Sequence, residues 1–421
     1  MSPNHAPKSH RLILLGINYS PEVTGIAPYN EMLAEWLVQR GWDVEVITAF
    51  PYYPSWKKLP GDKGKLYRRE DVDGVIVHRV WHYVPSKVTA LKRMLHEASF
   101  IFSASLRLFT LRRPDVLFVV SPPLPLGVTA AFYRWLRAVP TVFHVQDLQP
   151  DAAVGLGMLH PGWLTKLLYR LEKFAYDKAS RVSGISPGMM NAFSRKGVDG
   201  SKSLFFPNPV EFPDSDTIPP RGRFRKAHDI PEGSFLVSYS GNLGIKQGLG
   251  QIIEAAARLK DESAVRFVIC GDGAMRQTLA EAVAERGLAN LTVLPLNSLA
   301  FYHALLVDSD LCLVTQQANS GAAFFPSKLL NIMAFARPVL AVADEGSVLA
   351  AICREEGCGR LVASDDAQAF AEEILRGKDD REGLEAIAAR GHAFVGRFQR
   401  REVLERIETE LKSILRNKDD L

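Results

Sequence analysis

The chain has 421 residues, of which 47% are hydrophobic and 23% charged, with a formal net charge of +4. That length outgrows one compact core and suits two domains, and the composition excludes a disordered or low-complexity chain. Cys270, Cys312, Cys353 and Cys358 sit in or beside apolar segments. None has zinc-ribbon or C-x-x-C spacing, so they read as reduced core thiols of a cytosolic protein.

Residues 1–10 are polar, hold Pro3 and Pro7, and lack the apolar core of a signal peptide. The first half then alternates short apolar strands with helical periodicity. Strands are expected at 11–17, 44–48, 75–80, 116–120, 141–145 and 204–206, with a helix at 27–39 stopped by Gly41. The uncharged run 116–133 approaches the length of a membrane span. Pro122, Pro123, Pro125 and Gly127 divide it into a strand, a turn and a helix, so no transmembrane helix is expected. The second half repeats the theme, with strands at 235–240, 265–270, 291–294, 311–314 and 339–342. Helices at 248–260, 274–286, 298–306 and 327–335 separate them. This alternation predicts two parallel, doubly wound sheets of α/β class. The proline-punctuated segment 206–213 is the expected junction, giving domains at 1–207 and 208–380, with closing helices at 381–421.

Charge is unevenly spread. Between residues 57 and 113 there are thirteen Lys/Arg against five Asp/Glu. Within this basic stretch Leu91, Leu95, Ala98, Phe102, Leu106 and Phe109 step by four and three, forming an apolar stripe flanked by Lys87, Lys92, Arg93, Arg107, Arg112 and Arg113. Segment 87–113 therefore reads either as an amphipathic helix for an anionic membrane surface, which the surplus favours, or as an ordinary core-facing helix. Trp56, Tyr67 and Trp81 could add interfacial aromatics. No nucleic-acid motif accompanies the charge.

Ligands of doubly wound sheets collect at the carboxyl ends of strands. Four segments there carry candidate chemistry. Gly16 to Ile26 follows the first strand and lets a ligand approach its backbone at Gly16 and Gly25. It is not a dinucleotide or Walker fingerprint, which argues against a nicotinamide dehydrogenase. His144-Val-Gln-Asp147 ends the strand at 141–145, and alternation lets only one of the pairs His144/Gln146 and Val145/Asp147 face a ligand. Gly241-Asn-Leu-Gly-Ile-Lys246 has glycines and a mobile cation suited to a phosphate. Gly271-Asp272-Gly273 suits either a turn against a nucleotide or a helix cap. The most informative segment is 326–342. Ser327 and Lys328 open a helix, where backbone N–H groups, a hydroxyl and an ammonium converge as a phosphate requires, and Asn331 stands one turn along to reach a sugar hydroxyl.

Together the segments GINYSPEVTGI, VITAFPYYPSW, VQDLQPDAAVGLGM, SYSGNLGIKQGL, CGDG and FPSKLLNIMA resemble the retaining glycosyltransferases of family 4, of the two-Rossmann-domain GT-B type. Within that family the likeness is to exopolysaccharide enzymes of the colanic-acid fucosyltransferase kind. The resemblance implies that Gly241, Asn242 and Lys246 hold the donor diphosphate, with Ser327 and Lys328 closing around it. It implies that Asn331 contacts the ribose, that Asp272 and the backbone around Pro295 line the base pocket, that Gly25 approaches the donor across an interdomain cleft, and that the last helices cross back onto the first domain. Three departures stand out. Asn242 replaces an arginine of the diphosphate clamp, Ala323 replaces the first glutamate of an E-x7-E pattern, and Gln146 replaces a histidine, which leaves Asp147 as the acid/base candidate.

The implied reaction moves a sugar from a nucleotide diphosphate sugar, GDP-fucose-like or UDP-linked, to a lipid-linked glycan with retention of configuration. The enzyme would be cytoplasmic and peripheral on the inner face of the plasma membrane. No D-x-D-type cluster suggests a metal, and no cofactor beyond the donor is expected. The rivals are a sugar-nucleotide epimerase of the same fold and a non-catalytic nucleotide-sugar-binding protein.

Overall fold

The computed structural model describes residues 10–22, 25–53, 55–87, 89–155, 159, 162–213, 216, 218–295, 298–318 and 327–419. The chain forms two compact units, Met1–Pro209 with Arg401–Leu421, and Val210–Arg400.

The first unit runs β1 (Arg11–Leu15), α1 (Ala27–Gln39), β2 (Asp43–Ala49), β3 (Tyr67–Val72), β4 (Val75–Val80), α2 (Ala90–Thr110) and β5 (Val116–Ser121). It continues with α3 (Leu126–Arg137), β6 (Thr141–Val145), α4 (Gln149–Gly155), α5 (Trp163–Lys178), β7 (Arg181–Gly184), α6 (Pro187–Arg195) and β8 (Ser203–Phe205). The second unit holds α7 (Arg223–Ala227), β9 (Phe235–Ser240), α8 (Gly250–Arg258), β10 (Val265–Cys270), α9 (Arg276–Glu285), β11 (Leu291–Leu294) and α10 (Leu299–Asp308). After these come β12 (Leu311–Thr315), α11 (Ser327–Ala334), β13 (Val339–Val342), α12 (Val348–Glu355), β14 (Arg360–Val362), α13 (Ala367–Asp379) and α14 (Arg381–Gly396). The last helix, α15 (Arg400–Asp419), is assigned from Arg401 onward to the first unit.

The sheet of the second unit is parallel throughout, in the order β11-β10-β9-β12-β13-β14. That of the first unit, β3-β4-β2-β1-β5-β6-β7-β8, corrects the expectation of a wholly parallel sheet, because β3 runs antiparallel to β4 at its edge. Asp73 and Gly74 turn the chain there with φ of 52° and 84°. An Asp-Gly pair adopts such positive angles readily, and the turn they make matches strand twist. The central strands of both sheets are buried on both faces, which is why they read as unbroken apolar runs.

Two apolar layers sandwich the first sheet. On one side Leu33 and Leu37 of α1 meet Leu404, Ile407 and Leu411 of α15. Trp36 donates its indole N–H to the buried Glu408 at 3.2 Å. Of the closing helices expected to cross back onto the first domain, only α15 joins this layer. Helix α14 stays in the second unit, where Gly391 lies against the Met333 side chain and His392 Nδ1 meets the Met333 carbonyl at 3.2 Å.

The opposite layer contains α2, α3 and α5. Here the apolar stripe of α2 overturns the core-facing reading: Leu91, Leu95, Phe102 and Leu106 all point to solvent. Phe100, Ala104 and Leu108 are the residues that enter the core. Phe109 is intermediate, packed at its edge on Phe132 and Tyr133. Trp56 also departs from the expected interfacial role, since it packs on Tyr52 and His96, whereas Tyr67 and Trp81 are exposed. Among the described residues no helix is long and apolar enough to cross a membrane.

Candidate active site

In the second unit the strand order reverses beside β9, with β10 and β11 on one side and β12, β13 and β14 on the other. A reversal of this kind leaves a crevice at the strands' carboxyl ends. The loops leaving those ends are laced together by main-chain hydrogen bonds. Gly241 N–H donates to the Cys270 carbonyl at 2.9 Å, Leu243 N–H to Asp272 at 2.9 Å, and Gln317 N–H to Lys246 at 2.8 Å. The Thr315 hydroxyl donates to the Gln247 carbonyl at 2.6 Å. The exit from β9 is therefore gripped by the exits from β10 and β12.

Glycine makes this crowding possible. A Cβ on Gly271 would stand 1.8 Å from the Gly241 carbonyl oxygen. Gly241 itself has φ of +132°, and a Cβ there would come within 3.5 Å of the Lys328 ammonium. The structure thus joins two of the sequence-predicted site residues, Gly241 and Lys328, against each other.

Lys328 is the unusual group. Helix α11 buries Leu329, Leu330, Ile332, Met333 and Ala334, leaving Lys328 and Asn331 on its other face. Asn331 is exposed. Lys328 is half-buried as a residue, but its Nζ is enclosed and has no hydrogen-bond partner among the described residues. That nitrogen lies 3.7 Å from the ring centroid of Tyr239 on β9. The Tyr239 hydroxyl is engaged elsewhere, donating to the Asn242 carbonyl at 2.9 Å. Burial pushes the Lys328 ammonium down to about 7. A π-face alone compensates a desolvated cation poorly.

The remaining candidates of this unit lie at the exits of β9, β10 and β11 and on α11. Lys246 is exposed in the short turn before α8. Asn242 is exposed, with its amide beside Gly244 and Gly273. Asp272 does not cap α9; its carboxylate pairs with Arg276 at 2.8 Å on the surface. The Pro295 carbonyl accepts the Cys270 thiol at 3.4 Å. Ser327 opens α11, although its side chain lies outside the described residues, as do Ala323 and Leu296. Among the described residues no group of three or more His, Cys, Asp or Glu could hold a metal ion.

In the first unit the order reverses at β1, and the loop after it carries Gly25 at φ +70° against the Tyr53 ring. A buried carboxylate that the sequence reading passed over organises this end. Glu22 accepts the N–H groups of Tyr52 and Tyr53 at 2.8 Å each and the Asn18 amide at 2.7 Å. Its signal was a lone acid inside a Gly- and Pro-flanked loop. At the end of β6 Asp147 is exposed, whereas Val145 before it is buried. His144 and Gln146 are buried. His144 contacts the Ser183 hydroxyl at 2.9 Å and the Gln146 amide at 2.9 Å, and burial pushes it down to about 4, so it stays neutral. Gln146 and Asn208 exchange two amide hydrogen bonds, of 2.8 and 2.9 Å, tying β6 to the end of the unit.

Comparison with known proteins fits this geometry. Residues 24–209 match the family described as "Glycosyl transferase 4-like domain", and residues 220–394 match "Glycosyl transferases group 1". The chain is 37% identical over 354 residues, 82% of its length and 86% of the relative's, to the putative colanic acid biosynthesis glycosyl transferase WcaI of Escherichia coli. Its fold resembles sucrose-phosphate synthase from Thermosynechococcus elongatus, with TM-score 0.73 and 17% identity over 97% of this chain and 100% of that one. It also resembles Anabaena HepE in complex with UDP, with TM-score 0.67 and 16% identity over 96% and 100% of the two chains. The two family matches and a relative this similar over most of both lengths lead to one conclusion: the chain belongs to the family 4 glycosyltransferases, of GT-B type.

Proposed function

We propose that this glycosyltransferase moves a sugar from a nucleotide diphosphate sugar, GDP-fucose-like or UDP-linked, to a hydroxyl of a lipid-linked glycan in exopolysaccharide biosynthesis. The observation that carries the donor assignment is the enclosed ammonium of Lys328 beside Gly241, which has no hydrogen-bond partner among the described residues. The relative named for colanic acid biosynthesis and a structural neighbour complexed with UDP both support the reading.

In this reading the bond from the anomeric carbon to the β-phosphate oxygen breaks, and its electron pair leaves with the diphosphate. Lys328, Lys246, Ser327 and the N–H groups opening α11 stabilise that charge. Gly241 and Asn242 let the phosphates approach main chain, Asn331 contacts the ribose, and Asp272 and Pro295 border the base. The first unit takes the acceptor. Gly25 belongs to its ligand loop, and Asp147 orients the acceptor hydroxyl and receives its proton. Transfer retains the anomeric configuration and uses no metal, because positive charge from protein groups replaces a cation. The enzyme works at the cytoplasmic face of the plasma membrane.

The test incubates the full chain with UDP- and GDP-sugars and a lipid-linked glycan in the presence of EDTA, reading sugar incorporation and nucleoside diphosphate release. Acceptor-dependent transfer that survives EDTA is expected. Lys246→Ala is expected to lower it at least 30-fold with an unchanged melting temperature, because Lys246 is an exposed point charge acting on the departing diphosphate. Product without acceptor would instead make the protein an epimerase, and donor binding without turnover a binding protein.

A further inference from the structure

We propose that the outer faces of α2, α3 and α5 together form a platform that docks on an anionic phospholipid bilayer. The docking surface is thus wider than the basic helix the sequence reveals.

More than half of the exposed large apolar side chains among the described residues lie on these three helices. Phe102 and Leu106 project from α2, Phe132 and Trp135 from α3, and Trp163 and Phe174 from α5. Trp135 and Trp163 expose 76% and 77% of their surface, and Phe102 66%. Scattered single apolar residues on a surface need no explanation, but a contiguous field does.

The helices that carry these side chains are packed side by side. Their inward residues, Phe100 and Ala104, Ala130 and Tyr133, and Ala175 and Tyr176, belong to a single core cluster, so all three lie on the same side of the sheet. Gly127 of α3 lies against Ala175 of α5, where a Cβ would come within 2.5 Å. Phe132 joins Phe109 of α2 at 5.9 Å between centroids and Trp135 at 5.6 Å.

Charge identifies the occupant. Three arginines are spent on main-chain carbonyls at the helix ends and have no carboxylate partner among the described residues. Arg113 donates to Ala138 at 2.8 Å, Arg134 to Lys178 at 2.7 Å, and Arg137 to Phe109 at 3.3 Å. Arg112, Lys166 and Arg170 are exposed as well, with no carboxylate partner among the described residues. The acids of the three helices are already matched, Glu97 to Arg93, Asp177 to Lys173, and Glu172 to Lys196. Tryptophans with an apolar body and one N–H donor, set among unpaired cations, suit lipid headgroups over acyl chains. A protein partner would have to supply both a large apolar face and a ring of carboxylates.

The proposal deepens the functional reading of a lipid-borne acceptor, but its test uses neither donor nor acceptor. Full-length protein is sedimented with phosphatidylcholine vesicles and with vesicles holding about one-third phosphatidylglycerol. Binding to the anionic vesicles is expected to be at least tenfold tighter and to weaken as salt rises. Trp135 and Trp163 fluorescence should be quenched by brominated acyl chains. A Phe102→Ser/Trp135→Ser/Trp163→Ser variant should lose at least tenfold in vesicle affinity with an unchanged melting temperature, because none of the three supports the core. Equal binding by that variant, no preference for the anionic lipid, or no vesicle binding would overturn the proposal. So would a lipid-free dimer that the same substitutions dissociate. Transfer to a soluble acceptor would survive any of those failures if the functional reading holds.

Discussion

Replacing Lys328 with methionine is expected to weaken binding of UDP or GDP by about 30- to 1,000-fold and to lower sugar transfer at least as much. Removing one member of a buried, hydrogen-bonded charge pair costs about 2–4 kcal/mol, at roughly 1.4 kcal/mol per tenfold. Methionine comes close to the volume of lysine and ends one atom short of Nζ, so the substitution removes the charge over the Tyr239 ring with little change in packing. The melting temperature of the empty protein should stay level or rise, since the variant no longer buries an amine that has no hydrogen-bond partner among the described residues. The wild type should show a pH signature that the variant lacks. With burial holding the ammonium at about 7, the empty site is mostly neutral above that pH, and an arriving diphosphate must draw in a proton. Binding near pH 8.5 should therefore take up close to one proton. Affinity should fall with rising pH between about 8 and 10, by at most tenfold per unit. Tyr239, the titratable neighbour recorded against the ammonium, is pushed upward by burial and stays neutral across this range. Calorimetry in two buffers of different ionisation enthalpy reads the proton directly. A pH-independent affinity in the wild type would mean that the ammonium is already compensated.

Gly271→Ala is expected to be the most damaging single-methyl change in the second unit. The new Cβ would occupy the position of the Gly241 carbonyl oxygen, 1.8 Å away, and would press within 3.2 Å of Leu243. Relief requires parting the β9 and β10 exits and breaking the bonds from Gly241 to Cys270 and from Leu243 to Asp272. Overpacking of this kind with two lost main-chain bonds costs about 3 kcal/mol or more. At about 2–4 °C per kcal/mol for a unit of this size, the melting temperature should drop by roughly 6–12 °C. Nucleotide binding should be lost even well below that temperature, because Gly241 is displaced from Lys328. Gly250→Ala is the control: a Cβ there meets nothing within 4 Å and adds helix propensity to α8, so it should be neutral or slightly stabilising. Equal behaviour of the two variants would mean that the crowding at Gly271 carries no energetic weight.

Much of this was legible in the chain, and the misses have physical causes. β4, β6, β9, β10, β11 and β13 were readable to the residue because they are largely apolar runs bounded by turn residues, and all but the edge strand β11 are mostly buried. β3 was missed because an edge strand of alternating exposure, Tyr67-Arg-Arg-Glu-Asp-Val, carries too much charge to look like one. β7 and β14 are four and three residues long and lack a pattern of their own. The period of α2 was readable but its direction was not. Both of its faces are apolar, and only the packing of Phe100, Ala104 and Leu108 reveals that the conspicuous stripe faces outward. At the site, residue types and spacing singled out Lys328 and Gly241, since small residues and cations at strand ends are local signals. The enclosure of the ammonium was not readable, because it depends on β9 and α11 meeting across 86 intervening residues.

On this reading a donor diphosphate is held in the second unit by the Lys328 ammonium and the Gly241 main chain. Crystals of the full-length protein soaked separately with UDP and with GDP test it most directly. At least one of the two nucleotides should place a phosphate oxygen within about 3 Å of Lys328 Nζ, the span of a charge-assisted hydrogen bond. A nucleotide bound with its phosphates away from Lys328, or an ammonium still facing only the Tyr239 ring in the complex, would contradict the account.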